Sequence, residues 1–518
     1  MDCDKLDLKD TGQFSKLIID YVDGNPELSP FYSAPPTLEG FGEAIKAKSF
    51  SSDFRFTLVE VLKEQYASIK TPLRVSENIE SLSHNKTFTV TTGHQLNIFT
   101  GPLFYIYKLI ATINLAKELN KRYPEYRFVP VYWMGSEDHD FEEINHLYVN
   151  SSRYEWQTEQ GGATGRFHTE GLKEVLAQLP GRKKVFENAL KKHTRLADVV
   201  RDYVNALLGE EGLVILDADD IRFKKEFIPV LEDELFKENT FKLVEDQSIA
   251  LDKAGYKQQL NPRELNLFYL VDGLRSRIEK IDTGYSVVDT NIKFTKTEIE
   301  DLLENHTDRF SPNVILRPVF QETILPNLAY VGGPSELAYW FQLKQVFDHF
   351  KLAFPILMPR SFVMYIGMAT CHKIKKLHVN YKNLFLREDL FINKYIKTHS
   401  DNQLNLEEAK VQLNEFFIKL KQKVAEVDST LGALVESEQV KGEKSLSKVE
   451  QKMFKAEKRK RQDELRMLNE IYTSLYPGGT PHERKENLLS IEDPDFINNL
   501  LEVLNPLDIK YRVIRADK

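Results

Sequence analysis

A cluster of ionisable side chains, Glu137-Asp138-His139-Asp140, directly follows the apolar run 128–134. Three carboxylates and an imidazole so close together crowd negative charge, which must be relieved by a cation, by hydrogen bonds or by raised pKa values. Adjacent residues cannot all face one ion and no distant ligand set is recognisable, so a permanent metal is not expected. Transient Mg²⁺ carried with a nucleotide suits the cluster better.

Two further clusters combine glycine with polar residues: TTGHQ (91–95) and GGPSE (332–336). Glycine lets a ligand approach backbone amides, and a helix start offers donors to a phosphate or a carboxylate. Taken alone, His94 is more often a helix cap or a satisfied buried histidine than a functional residue, and Gly332-Gly333-Pro334 is more often a tight turn. The chain contains neither a G-x-x-x-x-G-K-[ST] loop nor a G-x-G-x-x-G fingerprint, which disfavours a phosphate-loop kinase and an ordinary NAD enzyme.

The elements that must position these clusters are strands of one sheet. The runs 86–92 and 128–134 are apolar or β-branched, and apolar residues recur at helical spacing from Pro102 between them. Strand, turn, helix and strand form a βαβ unit with parallel strands. Further strands are predicted at 213–217, 314–319 and 355–358. Ligands bind at the carboxyl ends of such strands, which is where the clusters fall.

The long spans between these strands, near residues 145–210 and 222–312, are interpreted as insertions into one sheet domain. The predicted fold class is therefore α/β, with a Rossmann-like doubly wound core and connecting insertions over residues 1–390. Residues 481–518 are expected to return to this core. The remaining segment, 391–480, has a different pattern.

Residues 391–480 are predicted to form a long antiparallel α-helical coiled-coil hairpin. Apolar residues from Leu413 to Leu434 alternate spacings of four and three, which is a heptad pattern. Gly442 offers the turn, and a second apolar series follows with a register slip near 458–461. The arms would have about 32–36 residues and be ~50 Å long. Because a narrow apolar stripe buries little alone, a homodimer is expected, with a hairpin folded onto its own core as the alternative.

Bulk properties limit the class of protein. The formal charge of −8 opposes a broad attraction to nucleic acid, and acidic residues surround the only strongly basic run. No apolar run approaches the ~20 residues of a membrane helix, so no membrane partner is expected. Only two cysteines, Cys3 and Cys371, are present. A disulfide framework is therefore not expected, and a cytoplasmic location is.

Five segments together closely resemble the bacillithiol biosynthesis cysteine-adding enzyme family. They are TTGHQLNIFTGPLFYIYK (91–108), VPVYWMGSEDHDFEEINHL (129–147), LVILDADD (213–220), FSPNVILRPVFQETILPNLAYVGGPSELAYWFQLK (310–344) and YPGGTPHERKENLL (476–489). The resemblance implies a Rossmann-like core with a coiled coil used in dimerisation. It also implies a ligase that joins cysteine, through its carboxyl, to the amine of glucosaminyl-malate in the last step of bacillithiol biosynthesis.

The implied reaction requires activation of the cysteine carboxylate. A free carboxylate forms an amide poorly because its carbonyl is deactivated and hydroxide is a poor leaving group. ATP is therefore the expected co-substrate, giving an acyl-adenylate or acyl-phosphate. The core is also similar to class I aminoacyl-tRNA synthetases, whose H-x-G-H element holds ATP. Residues 91–94 keep the glycine and the second histidine of that element, whereas Thr91 replaces the first.

The resemblance also implies site residues. The catalytic residues are predicted to be His94, Asp138, His139 and Asp140. His94 would contact a phosphate or the developing negative charge. His139 would take a proton from the attacking amine, and the two acids would hold that amine or a metal ion.

Ten further residues are predicted to bind substrate. Arg317 would hold a carboxylate bidentately, and Glu336 would hold the cysteine ammonium. Three of the ten would shape the pocket floor, namely Tyr339, Trp340 and Gln342. The full set is Gly93, Gln95, Glu137, Arg317, Gly332, Gly333, Glu336, Tyr339, Trp340 and Gln342.

Two other functions stay open at this point. A different adenylate-forming amino acid–amine ligase would use the same cleft, and pocket chemistry alone does not distinguish the two. A coiled-coil interaction scaffold with an inactive core is the second alternative. The crowded acids and histidines at strand ends disfavour it, because an inert sheet has no need of them.

Overall fold

The computed structural model describes residues 2–400 and 404–516. The chain divides into two compact units. The first, called here the α/β unit, runs to Tyr365 and resumes at Thr480. The second, the helical unit, is Ile366–Gly479.

The strands and helices are numbered along the chain. The strands are β1 Asp2–Leu6, β2 Thr87–His94, β3 Arg127–Met134, β4 His146–Val149, β5 Ser152–Glu155, β6 Val214–Asp217, β7 Leu267–Val271, β8 Leu274–Ile281, β9 Gly284–Val287, β10 Lys293–Phe294, β11 Phe310–Pro312, β12 Asn327–Gly332, β13 Ile356–Pro359, β14 Phe362–Ile366 and β15 Tyr511–Arg515. The helices are α1 Leu8–Thr11, α2 Lys16–Val22, α3 Leu38–Ala47, α4 Ser52–Tyr66, α5 Leu73–Ser81, α6 Phe104–Arg122, α7 Phe141–Ile144, α8 Leu172–Gln178, α9 Lys184–Lys192, α10 Leu196–Leu208, α11 Ile221–Glu226, α12 Ile228–Lys237, α13 Asn239–Lys253, α14 Lys296–Asn305, α15 Leu316–Ile324, α16 Pro334–Trp340, α17 Lys344–His349, α18 Met368–Lys376, α19 Glu388–His399, α20 Glu407–Ala425, α21 Gly432–Lys460, α22 Gln462–Leu475 and α23 Phe496–Val503. None of the helices in the described part of the chain combines the length and apolarity of a membrane span.

The central sheet of the α/β unit has five parallel strands in the order β13-β12-β2-β3-β6. The first of them in sequence, β2, lies in the middle. The chain adds β3 and β6 on one side and then returns to add β12 and β13 on the other. This is the doubly wound Rossmann order, so the predicted fold class is confirmed. The direction of winding reverses between β2 and β12, and a crevice opens at that point.

One predicted strand, Val314–Val319, is wrong. Those residues enter helix α15, and the strand that pairs with β2 is β12, which follows the helix. Pro318 is tolerated because the N–H groups of a first helical turn have no intrahelical partner. Asn313 starts the helix, since its Oδ1 accepts the backbone N–H of Ile315 at 2.8 Å. A short apolar run does not distinguish a buried strand from a buried helix.

Two insertions and a returning segment complete the α/β unit. The first insertion, between β3 and β6, contains the hairpin β4–β5 and helices α8–α10. The second, between β6 and β12, contains α11–α14 and an antiparallel sheet of order β10-β9-β8-β7-β11. The last strand, β15, pairs antiparallel with β1.

The helical unit contains the coiled coil, but its turn is not at Gly442 as predicted. The chain turns between α20 and α21, and Gly442 lies inside α21. A Cβ atom on Gly442 would lie 3.1 Å from Leu413 Cδ2 and 3.3 Å from Phe417 Cε2. Glycine is therefore there to let α20 pack closely.

The lengths of the two arms also differ from the prediction. Helix α20 has 19 residues and α21 has 29, whereas arms of nearly equal length were expected. The predicted interruption near 458–461 is confirmed. Helix α21 ends at Lys460 and α22 begins at Gln462, with Arg461 outside helical geometry at φ −112° and ψ 36°.

Candidate functional site

A cavity of about 720 Å³ lies at the carboxyl ends of β2, β3 and β12, and residues of the second insertion form another of its walls. It includes the crevice where the sheet reverses its winding. Nine of the predicted site residues line it: Gly93, His94, Gln95, Glu137, Asp138, His139, Arg317, Glu336 and Tyr339. The loops after β2 and β3 thus converge, because the parallel strands that carry them are neighbours.

Three predicted residues lie beside the cavity rather than on its wall. The Asp140 side chain is exposed. The two glycines use their backbone within the protein: Gly332 O accepts the N–H of Arg360 at 2.9 Å, and Gly333 N–H donates to Glu336 at 3.3 Å. These glycines therefore shape the start of α16, and their amides do not face the cavity.

Two predicted floor residues are buried behind the wall. Trp340 stacks on Tyr330 with ring centroids 4.4 Å apart, and the Tyr330 ring separates it from the cavity. The Gln342 Oε1 accepts the backbone N–H groups of Gln259 and Leu260 at 2.8 Å. Gln342 therefore anchors the second insertion to the core, and its helical spacing from the site residues reflects packing.

The base of the cavity is an ion pair that sequence reasoning missed. Lys108 on α6 has a side chain only 2% exposed, and its Nζ lies 2.8 Å from both carboxylate oxygens of Glu336. The same Nζ donates to Gly93 O at 2.6 Å, and the Tyr330 hydroxyl donates to Glu336 at 2.8 Å. Burial opposes ionisation of Glu336, but Lys108 outweighs it, so the pKa of this carboxyl lies below its usual range. The missed signal was a lysine inside the apolar series of α6.

This pairing changes what Glu336 has available for a ligand. Its two oxygens already accept from Lys108, Tyr330 and the Gly333 N–H. A carboxylate has about four acceptor positions, so little capacity is left for an ammonium group. Glu336 acts mainly on the backbone of the β2 turn, through Lys108.

His94 presents an unsatisfied ring nitrogen. Its Nε2 is buried and has no hydrogen-bond partner among the residues that the structure describes. The ring stacks on Phe104 at 5.4 Å and meets the edge of Tyr105 at 5.0 Å. Burial, with the charge of Lys108, lowers the pKa of His94 to about 3. The imidazole is therefore neutral near pH 7 and can offer one hydrogen bond to a ligand.

Arg317 presents an unsatisfied cation to the same cavity. Its Nη1 donates to Gln321 at 3.0 Å, whereas its buried Nη2 has no hydrogen-bond partner in residues 2–400 and 404–516. No carboxylate in those ranges lies within ion-pair distance. A Cβ atom on Gly93 would lie 3.2 Å from the Tyr330 hydroxyl and 3.4 Å from Arg317 Nη1, so the glycine keeps this corner open. The arrangement is suited to a carboxylate or a phosphate.

Hydrogen bonds join the loops after β2 and β3. Gln95 Nε2 donates to Asp138 Oδ2 at 2.7 Å, and the backbone N–H of His139 donates to Asp138 Oδ1 at 2.8 Å. Burial raises the pKa of Asp138, but the hydrogen bonds from His139 and Gln95 and the charge of Arg275 outweigh it. The pKa of Asp138 therefore lies well below its usual range. Asp138 is a carboxylate at every physiological pH.

The Nδ1 atom of His139 contacts a cation of the second insertion. Arg275 Nη1 lies 2.8 Å from His139 Nδ1, and a guanidinium can only donate. This contact occupies Nδ1, so it does not favour the base role predicted for His139 at that atom.

The negative charge of the cluster is relieved by cations of the second insertion. Glu137 pairs with the buried Lys224 at 2.9 Å, and Asp138 lies 3.7 Å from Arg275. Within the described ranges, no group of three or more histidine, cysteine, aspartate or glutamate side chains is arranged to hold a metal ion.

The connection from β2 to α6 is held by a residue from the far end of the chain. Phe99, Thr100 and Gly101 all have positive φ, at 48°, 75° and 52°. The buried Asn487 donates through Nδ2 to Phe99 O at 2.8 Å and to Gly101 O at 2.6 Å. The segment 482–489 (HERKENLL) therefore has a structural role, because it holds the loop after β2. The sequence alone did not reveal this partner.

Comparison with known proteins agrees with this architecture. Residues 1–361 match the model of the bacillithiol biosynthesis BshC N-terminal Rossmann-like domain, and residues 363–516 match that of the BshC C-terminal coiled-coil domain. The chain belongs to the BshC family. A relative from Flavobacterium psychrophilum is 40% identical, covering 99% of this chain and 100% of its own. A relative from Flavobacterium johnsoniae is also 40% identical, covering 99% of this chain and 100% of its own. One from Christiangramia forsetii is 39% identical, covering 98% of this chain and 97% of its own. Each bears the name "Putative cysteine ligase BshC".

Proposed function

We propose that this protein is a cysteine ligase that joins the carboxyl of cysteine to the amine of glucosaminyl-malate, with ATP as co-substrate, in the last step of bacillithiol biosynthesis. Membership of the BshC family and the names of the full-length relatives support this. The structural observation that carries it is the cavity at the winding reversal, which is lined by Arg317 and His94; each has a buried nitrogen atom without a hydrogen-bond partner among the described residues.

These two residues suit carboxyl activation. A guanidinium with a free Nη2 can bind the cysteine carboxylate or a phosphate oxygen. A neutral histidine beside it can form one hydrogen bond with the substrate through Nε2, and that nitrogen accepts if the other ring nitrogen carries the proton. Because burial holds His94 neutral, its contribution is a directed hydrogen bond rather than a positive charge.

The amine substrate is assigned to the Asp138 side of the cavity. Asp138 is ionised, and its Oδ2 accepts only one hydrogen bond within the described residues, from Gln95. A carboxylate oxygen with a remaining lone pair can hold an ammonium or amine by a charge-assisted hydrogen bond. Glu336, which sequence reasoning proposed for the cysteine ammonium, is instead occupied by Lys108.

The proposal includes a homodimer formed through the coiled coil. Large apolar side chains on α20 and α21 are about half exposed or more, although the two helices pack on each other. They are Val411, Phe416, Ile418, Leu434, Val440 and Val449. A second copy of the chain would cover such a face. The proposed location is the cytoplasm, where the two cysteines, which are not joined in a disulfide, stay reduced.

The test is a reaction of purified protein with cysteine, glucosaminyl-malate and ATP, followed by mass spectrometry for the amide and for AMP or ADP. His94→Ala and Asp138→Asn are each expected to lower product formation by at least about 100-fold while retaining the fold. Asp282→Asn, in the exposed turn between β8 and β9, is the control and should keep wild-type activity. Normal activity in both cavity variants would remove the cavity from the mechanism.

A further inference from the structure

The second insertion contributes a wall of guanidinium groups to the cavity. Arg275 and Arg277 lie on β8 two residues apart, so both project from the same face of their sheet. Arg263, in the segment before β7, lines the cavity with them. Phe268, opposite Arg277 in the strand register, adds an apolar surface between them.

The three arginines differ in how far they are occupied by the protein. Arg275 is fully engaged: its Nε donates to Ser311 at 3.1 Å, its Nη2 donates to Pro312 O at 3.0 Å, and its Nη1 meets His139. Its guanidinium also stacks on the Phe268 ring at 3.9 Å. Arg275 therefore stabilises the wall and has little capacity for a ligand.

The other two guanidinium groups are available. Arg277 is paired with Glu279 at 3.2 Å, but both side chains are partly exposed, at 33% and 52%. Such a pair contributes little and is readily exchanged for a ligand carboxylate. Arg263 makes no side-chain hydrogen bond or ion pair with any residue in the described ranges, and its exposed side chain contributes to the cavity lining.

Four carboxylates line the cavity: Glu143 forms no ion pair within the described residues, and the other three have partners other than Arg263 and Arg277. Glu137 is paired with Lys224, and Glu336 is paired with Lys108. Asp138 is held by Gln95 and lies near Arg275, which is already engaged. The wall therefore attracts an anion, and two forked donors match a molecule that carries two carboxylates.

We propose that Arg263 and Arg277 bind the two carboxylates of the malyl group of the acceptor and so select a dicarboxylate-bearing amine. This inference rests on the proposed function. The nucleotide phosphates are the other anions of the reaction. Glycine at the β2 turn and the start of α6 supply the backbone approach that phosphates use, whereas this wall consists of side-chain forks alone.

The test compares Arg263→Gln, Arg277→Gln and the double variant with wild type. Steady-state kinetics should show KM for glucosaminyl-malate rising about tenfold in each single variant and more in the double variant. The kcat and the KM values for cysteine and ATP should stay within about twofold. Lys280→Gln, on β8 but outside the cavity, is the matched control and should behave as wild type.

A dimethyl ester of the malyl group is the second probe. The affinity of wild type for the ester should be as low as the affinity of the double variant for the free acid. The double variant should bind the ester and the free acid equally weakly. An unchanged KM for the free acid, or a rise in KM for ATP instead, would overturn the assignment. Calorimetric titration of glucosaminyl-malate into wild type and double variant decides the matter without catalysis. If the double variant binds glucosaminyl-malate about tenfold or more weakly than wild type, the assignment of Arg263 and Arg277 holds. If no amide forms as well, only the proposed function fails.

Discussion

Replacing Lys108 with methionine removes the cation that neutralises Glu336 at the base of the cavity. Methionine keeps much of the length and apolar character of the lysine stem, so the change isolates the charge. The Lys108 side chain is 2% exposed and that of Glu336 is 29% exposed. The substitution therefore leaves a largely buried carboxylate with only Tyr330 and the Gly333 N–H as partners.

The expected cost follows from this burial. Removing one partner of a fully buried ion pair costs roughly 3–5 kcal/mol in free energy of unfolding. Because Glu336 keeps some exposure and two other donors, we expect the lower end of that range. The lost hydrogen bond to Gly93 O contributes within the same figure. The expected destabilisation is about 3 kcal/mol near pH 7.5.

The destabilisation should depend on pH. In wild type the pKa of Glu336 is below its usual value of 4.5, so the ion pair stabilises the fold above that pH and is lost as pH falls through the lowered pKa. In Lys108→Met, burial is opposed only by the weaker hydrogen bonds from Tyr330 and Gly333, so the pKa of Glu336 should rise. As pH falls, Glu336 in the variant becomes protonated, which removes the cost of burying its charge. The difference in free energy of unfolding between the variant and wild type should therefore become smaller as the pH is lowered from 7.5 to 5.

Urea unfolding followed by tryptophan fluorescence measures this in one unit of the protein. The only tryptophans are Trp133, Trp156 and Trp340, all in the α/β unit, so the signal does not include the helical unit. Lys117→Met is the matched control on the same helix. Its pair with Glu211 is exposed at 39% and 26% and is expected to contribute less than about 1 kcal/mol.

The single variants Lys108→Met and Glu336→Gln, together with the double variant, form a double-mutant cycle that measures the interaction between the two residues. A coupling free energy of about 1–3 kcal/mol is expected, because the two residues share one interaction. The reasoning fails if Lys108→Met loses no more stability than Lys117→Met, or if the two substitutions at the pair are additive within about 0.5 kcal/mol.

Two further predictions concern the β2 turn. Because the pKa of His94 is lowered to about 3, kcat/KM for amide formation should show no acid limb from this residue near pH 6.5; an acid limb there that disappears in His94→Gln would contradict the lowered pKa. Asn487→Ala should cost about 2–3 kcal/mol in the fluorescence-detected unfolding of the α/β unit, because two buried carbonyls of the positive-φ segment lose their donor. Asn499→Ala removes one side-chain hydrogen bond, to the partly buried Asp493, and should cost less than about 1 kcal/mol; equal losses in the two variants would contradict this role for Asn487.

Strand periodicity was sufficient to place most of the candidate site. The apolar runs that became β2 and β3 are buried along nearly their whole length, so their assignment did not depend on distant contacts. Once two parallel strands are neighbours, the residues after them must meet at one edge of the sheet. That is why His94 and Asp138 were correctly expected in one cavity.

Helix α15 shows where local patterns were ambiguous. Val314–Val319 is apolar enough for a strand, and only its capping by Asn313 and its packing on the core make it a helix. Gly442 is a similar case, since glycine serves both turns and close helix contacts. Whether Leu413 and Phe417 face it depends on where the chain turns, which the heptad pattern does not specify.

The sequence by itself determined the parallel sheet, the polar clusters at its strand ends and the coiled coil, because each follows from side-chain periodicity within one segment. The tertiary structure alone decided the electrostatics of the site. Lys108, Arg275 and Asn487 act on residues distant in the chain, at Glu336, His139 and Phe99. Charge pairing inside a cavity depends on separations of a few ångströms between different segments, and no periodicity within a segment encodes them.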